Sequence, residues 1–494
     1  MNRIQFLFAL LLAGLAMSLA TACNKDQDPV DNVYTVIYYE VGGGDLDYGM
    51  DYTLYDAARS LTLKTPVRFM VQHKYSAPES IKIQQQKNPG YVPGGDPGCV
   101  YRYELNPDKI ADEENSYLNL PASAKFGNAD YDMSDPQHLA DFIKYSVQTA
   151  PAQHYILVLS SHGSGYSYTT EPLLKSTIID DEGNLSSELT LHKLSRALQL
   201  AGQHIDMLIF DSCSMNSVEI VAEVANLELN GGQMVDYMMA SGHYVRALEY
   251  DKVIVSLSRP GGSFVSKFSQ PAQIWLNICS SQQSENADIC VTDMAKFRQM
   301  ESKLKDVVDE LCTNTPSDNA CKIAATQCFQ YNEGNTNYDL GDYFRLLGEN
   351  TKDNQALQTK IQAFQEALAA AMPYHYVTLP SYKKGKGDYT LSYPVLFGAQ
   401  GYIMELTNLA RTRIGRAEDG RAYYINGNAV QTSRVVTEDE SPNWKQTYCA
   451  IQFDKTVGWN RWFKKNPWFP AGNPPFFSIY EEAQPEPWEE DWDI

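Results

Sequence analysis

Apolar residues in the first half of the chain fall into two kinds of run. Short unbroken stretches rich in β-branched and aromatic residues are Val33 to Val41 (VYTVIYYEV), Val67 to Val71 (VRFMV), Tyr155 to Leu159 (YILVL), Met207 to Phe210 (MLIF) and Tyr237 to Ala240 (YMMA). They lack inside-outside alternation, the mark of strands covered on both faces in a parallel sheet. Between them apolar residues recur at helical spacing. One set is Leu54, Ala57, Ala58 and Leu61; the next is Leu139, Phe142, Ile143 and Val147, led by Ser134-Asp135-Pro136, a cap residue ahead of a proline. Leu189, Leu191, Leu194, Ala197 and Leu198 form a third face, and Met215, Val218, Val221, Ala222 and Val224 a fourth. Strands alternating with helices predict an α/β fold with a mostly parallel sheet flanked by helices and right-handed crossovers.

The second half reads differently. Helical spacing returns from Val291 to Leu311 and from Gln355 to Ala371, with Lys and Glu between the apolar positions. From Tyr376 to Trp462 short strand-like runs (YTLSYPVLF, YCAIQF) are broken by Gly, Pro and charged turns. The expected layout is a catalytic α/β domain over 33–255, a helical supporting insert over 256–372, and a small β-rich C-terminal subdomain with an acidic tail over 373–494.

The N-terminus sets the compartment. A short basic start, an apolar run from Phe6 to Leu19 and the small residues Ala20-Thr21-Ala22-Cys23 read as a signal peptide over 1–22. Cys23 is then the residue expected to receive lipid and hold the protein to the membrane of a bacterial cell envelope, with 23–32 as a solvated tether. Plain secretion, with Cys23 inside a removed leader, is the alternative. A formal net charge of −21 argues against a sequence-independent grip on nucleic acid. Cys312, Cys321 and Cys328 lie near one another in sequence, but spacing does not give pairing. None of the cysteines forms a CxxC, so no structural zinc is expected. Asp180-Asp181-Glu182 reads first as a solvated turn and second as a cation site.

In parallel sheets ligands bind outside the carboxyl ends of the strands, and two reactive side chains fall there. His162 follows Tyr155 to Leu159, with Gly163, Ser164 and Gly165 behind it to let a substrate approach the backbone. Cys213 follows Met207 to Phe210 at the expected start of a helix, where free N–H groups favour a thiolate. Each residue alone suits packing better than catalysis. The pair in one sheet balances catalysis against packing.

Resemblance then tips the reading. Asp135-Pro136, Leu139, Phe142-Ile143, Pro151-Ala152, Tyr155 to Leu159 and Ser161-His162-Gly163-Ser164-Gly165 resemble the histidine block of the clostripain family of cysteine peptidases. Ile209-Phe210-Asp211-Ser212-Cys213-Ser214-Met215 with Val218-Glu219 resembles its cysteine block, and Gly44-Asp45-Leu46 after the first strand is similar more loosely. The resemblance implies a caspase-like sheet and a cysteine endopeptidase that cuts after Arg or Lys, with Cys213 as nucleophile and His162 as proton carrier. Gly163 and Cys213 N–H would form the oxyanion hole, and Asp211 would receive the basic side chain. Capping the following helix is the competing role for Asp211. Lys175, the basic residue in the polar stretch between the blocks, is the expected site of self-cleavage. The family also makes calcium a candidate cofactor, though no EF-hand pattern is present. The chain departs from the family at Gly242-His243-Tyr244-Val245-Arg246-Ala247, so the resemblance does not supply the rest of the pocket; Glu249 is a second acid without motif support. An inactive scaffold serving as a surface-tethered binding protein is the alternative function.

Overall fold

A computed structural model describes residues 32–112, 117–163, 176–180, 187–282, 287–328 and 337–377, and then 403–405, 413–416, 422–426, 429–435, 452–459 and 461–462. The leader, Cys23, Ser164, Gly165, Lys175, Asp181, Glu182, Cys449 and the acidic tail lie outside them. The main sheet is built from β1 (Tyr34–Val41), β2 (Val67–Lys74), β3 (Val100–Leu105), β4 (Lys125–Gly127), β5 (His154–Ser160), β6 (Ile205–Asp211), β7 (Val235–Ala240), β8 (Asp288–Asp293) and β9 (Tyr374–Val377). Their order is β9-β8-β7-β6-β5-β1-β2-β3-β4. The five strands from β7 to β2 are parallel, and the outer strands pair antiparallel at both ends.

The unbroken apolar runs are explained by two-sided burial. Ile37, Tyr39, Leu157, Leu159, Leu208 and Phe210 enter one core cluster, while Val36, Tyr38, Ile156, Val158, Met207 and Ile209 enter the other. Successive residues thus point to opposite faces, yet both faces are dry. Helices α1 (Asp47–Ser60), α2 (Pro136–Thr149), α3 (Leu191–Ala201) and α4 (Val218–Ala225) make crossovers between the parallel strands. The side chain of Asp135 accepts from the Gln137 amide at 2.7 Å and Pro136 opens α2, so the predicted start is the observed one. Helix α3 is capped by Thr190 and closed by Gly202 in the left-handed region.

Two sequence expectations change. Val291 does not begin a helix: it belongs to β8, and the helix α5 (Met294–Thr313) starts after it, capped by Asp293. The run ending at Phe453 passes into helix α6 (Gln452–Val457), whose first amide bonds Glu223 of α4 at 2.8 Å. The large sheet therefore takes strands from all three segments of the chain, and the region 256–372 carries β8 as well as helices. The C-terminal segment also contributes a three-stranded antiparallel unit at 413–416, 422–426 and 429–435. Cys99, Cys213, Cys279, Cys290 and Cys321 carry free thiols.

Candidate active site

The chain leaves β1 toward β2 on one side and returns to β5 on the other, so a crevice opens between the carboxyl ends of β1 and β5. Glu40, Ser160 and Asp211 stand in one row across β1, β5 and β6 just below this edge. His162 follows β5, Cys213 follows β6, and Asp45 lies in the turn after β1.

His162 is fixed from the β1 side. Its Nε2 lies 2.7 Å from Oδ1 of Asp45, and both side chains are open to solvent. Gly43, at φ +53°, makes the approach possible: a Cβ there would stand 2.8 Å from Cδ2 of His162. Asp45 was not singled out as a site residue from the sequence. Its signal was the glycine run after a buried strand, level with the ends of the strands that carry His162 and Cys213.

Gly163 joins the two blocks. A Cβ at Gly163 would lie 2.4 Å from the carbonyl oxygen and 2.7 Å from the amide nitrogen of Cys213. The backbone behind the histidine is therefore packed directly on the backbone of the cysteine.

The turn after Cys213 is irregular. Ser214 adopts φ +59°, a conformation non-glycine residues rarely hold without support. Support comes from the segment after β7: Ser214 N–H donates to the His243 carbonyl at 2.9 Å and Asn216 N–H to the Ser241 carbonyl at 2.8 Å. Helix α4 begins only at Val218, with Ser217 as its N-cap residue. The expected helix start at Cys213 is thus displaced, and the donor that meets the thiol is the Val245 amide, 3.4 Å from Sγ. Burial pushes the Cys213 thiol up, the Val245 N–H opposes this, and the charge of Asp211 adds to the rise.

The segment that departs from the family pattern is the one that wraps the cysteine. It is pinned by Asp288 of β8, whose Oδ1 accepts from the Gly242 amide and faces Nδ1 of His243, both at 2.8 Å. Burial would raise the Asp288 carboxyl, yet His243 and His375 hold it well below the usual carboxylate range. His243 is buried in this contact, a packing role.

Asp211 does not cap a helix. Both its oxygens accept from the Leu248 amide at 3.3 Å, and Oδ2 accepts from the Tyr250 hydroxyl at 3.0 Å. The carboxyl is only 5% exposed. Burial pushes it up to about 7, against the two hydrogen bonds, and the neighbouring charge of Glu40 pushes the same way. Glu40 itself is buried 2.9 Å from His73, which is pushed up to about 10 by Glu40 and Asp47 although burial opposes this. Glu249 stands at the head of the helix Tyr250–Ser258, and burial and Asp251 raise its carboxyl. Asp180 is buried with its two oxygens 2.8 and 2.9 Å from Nζ of Lys74, so it is committed to an ion pair.

A mostly parallel sheet with histidine, cysteine and a buried acid at neighbouring strand ends has the layout of a caspase-like cysteine peptidase. The model of the clostripain family matches residues 106–441, and the chain belongs to that family. Clostripain of Hathewaya histolytica is 28% identical over 171 residues, which are 33% of this chain and 31% of that protein, so the match spans under a third of the relative's length. An X-ray structure of a secreted C11 cysteine protease from Bacteroides thetaiotaomicron, in complex with an irreversible peptide inhibitor, superposes with a TM-score of 0.51 at 14% identity, covering 87% of this chain and 100% of that one. A second structure described as a secreted C11 cysteine protease of the same organism gives a TM-score of 0.49 at 14% identity, covering 71% and 88%.

Proposed function

We propose that this chain is an exported cysteine endopeptidase that cuts after Arg or Lys, with Cys213 as nucleophile and His162 as general base and acid. The observation that carries the reading is the packing of Gly163 on the Cys213 backbone, which brings the histidine and cysteine strand ends into one site. In the reaction Sγ of Cys213 bonds to the substrate carbonyl carbon while His162 takes the thiol proton. The N–H groups of Gly163 and Cys213 hold the developing oxyanion. The C–N bond breaks as His162 returns the proton to the leaving amine, and water then hydrolyses the thioester with His162 as base.

Asp211 supplies the preference for a basic side chain. A carboxylate this deeply buried, with Glu40 behind it, has no cation among the partners of its oxygens within the described residues. An incoming guanidinium or ammonium group offsets that deficit, because the carboxylate is already desolvated in the folded chain and charge-assisted hydrogen bonds are strong there. Lys175, the basic residue in the polar stretch of sequence between the two blocks, is the proposed self-cleavage site. The leader and the similarity to a secreted C11 protease support export, and Cys23 supports a lipid anchor. Hydrolysis of peptides with Arg or Lys before the cleaved bond, compared between the purified protein and Cys213→Ala, tests the reading. Activity retained in the variant overturns it, and an intact chain mass in the active protein overturns the Lys175 assignment.

A further inference from the structure

A second cluster of reactive side chains lies at the opposite edge of the sheet, where β5, β6 and β7 begin. Asp206 and Asp236 sit on adjacent parallel strands, between the register pairs Ile205 with Val235 and Met207 with Tyr237. Two carboxylates side by side repel unless positive groups offset them, and each here faces a histidine: His154 at 2.7 Å from Asp206 and His204 at 3.1 Å from Asp236. His204 reaches the same point: Nε2 is 3.1 Å from Oδ2 of Asp236. One ligand atom from each of His204, Asp206 and Asp236 falls within 4.8 Å of the others.

The hydrogen bonds around the cluster are those of a metal site's outer ring. Nδ1 of His204 is 3.1 Å from the Gln233 carbonyl oxygen, and Nε2 faces Oδ2 of Asp236. A ligating histidine with its other nitrogen bound to a carbonyl is the usual arrangement. Asp206 is oriented likewise: Oδ2 accepts from the Tyr155 amide at 2.8 Å, and Oδ1 is 2.7 Å from Nδ1 of His154. Ligands of a tetrahedral ion with bonds of about 2.0 Å stand about 3.3 Å apart; Nε2 of His204 and Oδ2 of Asp236 are already that close, and a modest inward movement of the Asp206 ligand atom completes the set. All three residues are partly exposed, which leaves room for that movement and for water as a further ligand.

We propose that His204, Asp206 and Asp236 bind one divalent transition-metal ion, zinc by the preference of mixed imidazole and carboxylate sets. The ion ties together the amino ends of β6 and β7, with β5 held to Asp206 through His154 and the Tyr155 amide; the other ends of these strands carry His162, Cys213 and the Ser241–His243 segment. The site is independent of the peptidase reading. Titration of the chelator-treated protein with Co²⁺, followed by visible absorption, tests it, because free thiols give a separate thiolate charge-transfer band. The expected result is one Co²⁺ per chain with d–d bands, no thiolate band, displacement by Zn²⁺, and at least tenfold weaker binding in both His204→Ala and Asp236→Asn. Circular dichroism confirms that the variants fold. No binding, equal binding by all three proteins, or binding accompanied by the thiolate band overturns the proposal.

Discussion

The Tyr250 hydroxyl donates to Oδ2 of Asp211 at 3.0 Å inside the sheet edge, so the acid proposed to choose the substrate is held by the helix that follows the Cys213-wrapping segment. Leu248 donates to the same carboxyl. One side chain therefore couples specificity, the departing segment and stability.

That coupling predicts a trade between activity and stability. Asp211→Asn keeps one acceptor oxygen for the Tyr250 hydroxyl and the Leu248 amide but removes the charge, and kcat/KM on Arg and Lys peptides should fall about 100-fold. Its effect on stability has the opposite sign. Since burial raises the Asp211 carboxyl to about 7, the folded state binds a proton that the unfolded state releases, and stability is lost as pH climbs from about 4 to about 7. The full loss is on the order of 4 kcal/mol by one factor of ten per pH unit. Asp211→Asn should thus melt at a higher temperature than the parent at pH 8, with the difference gone below about pH 4. Thermal unfolding at both pH values checks this, and equal melting at pH 8 contradicts the burial cost.

Asp45 lies 2.7 Å from His162, the orienting contact of the proposed site. Asp45→Asn should lower kcat about tenfold and leave KM nearly unchanged, as loss of an orienting contact does. Steady-state kinetics on one basic peptide separates the two constants. A change confined to KM would assign Asp45 to substrate binding instead.

Gly163→Ala should be far more damaging than its size suggests. The new methyl meets Cys213 backbone at 2.4 and 2.7 Å, where only main-chain movement gives relief. Overpacking of this kind costs about 1–3 kcal/mol. Activity should fall at least about 100-fold, because the same movement displaces the proposed oxyanion donors. Kinetics with urea unfolding distinguishes lost geometry from lost fold.

Much of this was legible in the chain. The five parallel strands announced themselves because two-sided burial leaves unbroken apolar runs, and the Asp135-Pro136 start of α2 follows from local capping chemistry alone. His162 and Cys213 were placed at strand ends by the same logic. The edges were harder. In β3, VYRYEL carries Arg and Glu toward partly open positions, so it lacks the buried-strand signature. In β8, Cys290 and Val291 run straight into the apolar stripe of α5, and the period of a helix absorbed the strand. The contacts of Asp45 with His162 and of Tyr250 with Asp211 span 117 and 39 residues. Such pairings are set by sheet order, which no local pattern carries. The helix expected at Cys213 starts at Val218 because Ser214 and Asn216 bond the segment after β7.

Covalent capture tests the central claim most directly. A peptidyl chloromethyl ketone ending in Arg is incubated with the parent protein, Cys213→Ala and His162→Ala, and adducts are located by peptide mass spectrometry. The account predicts one adduct on Cys213 in the parent, none in Cys213→Ala, and labelling slowed at least about 100-fold in His162→Ala. An adduct on another residue, or equal labelling of the His162→Ala protein, would contradict it.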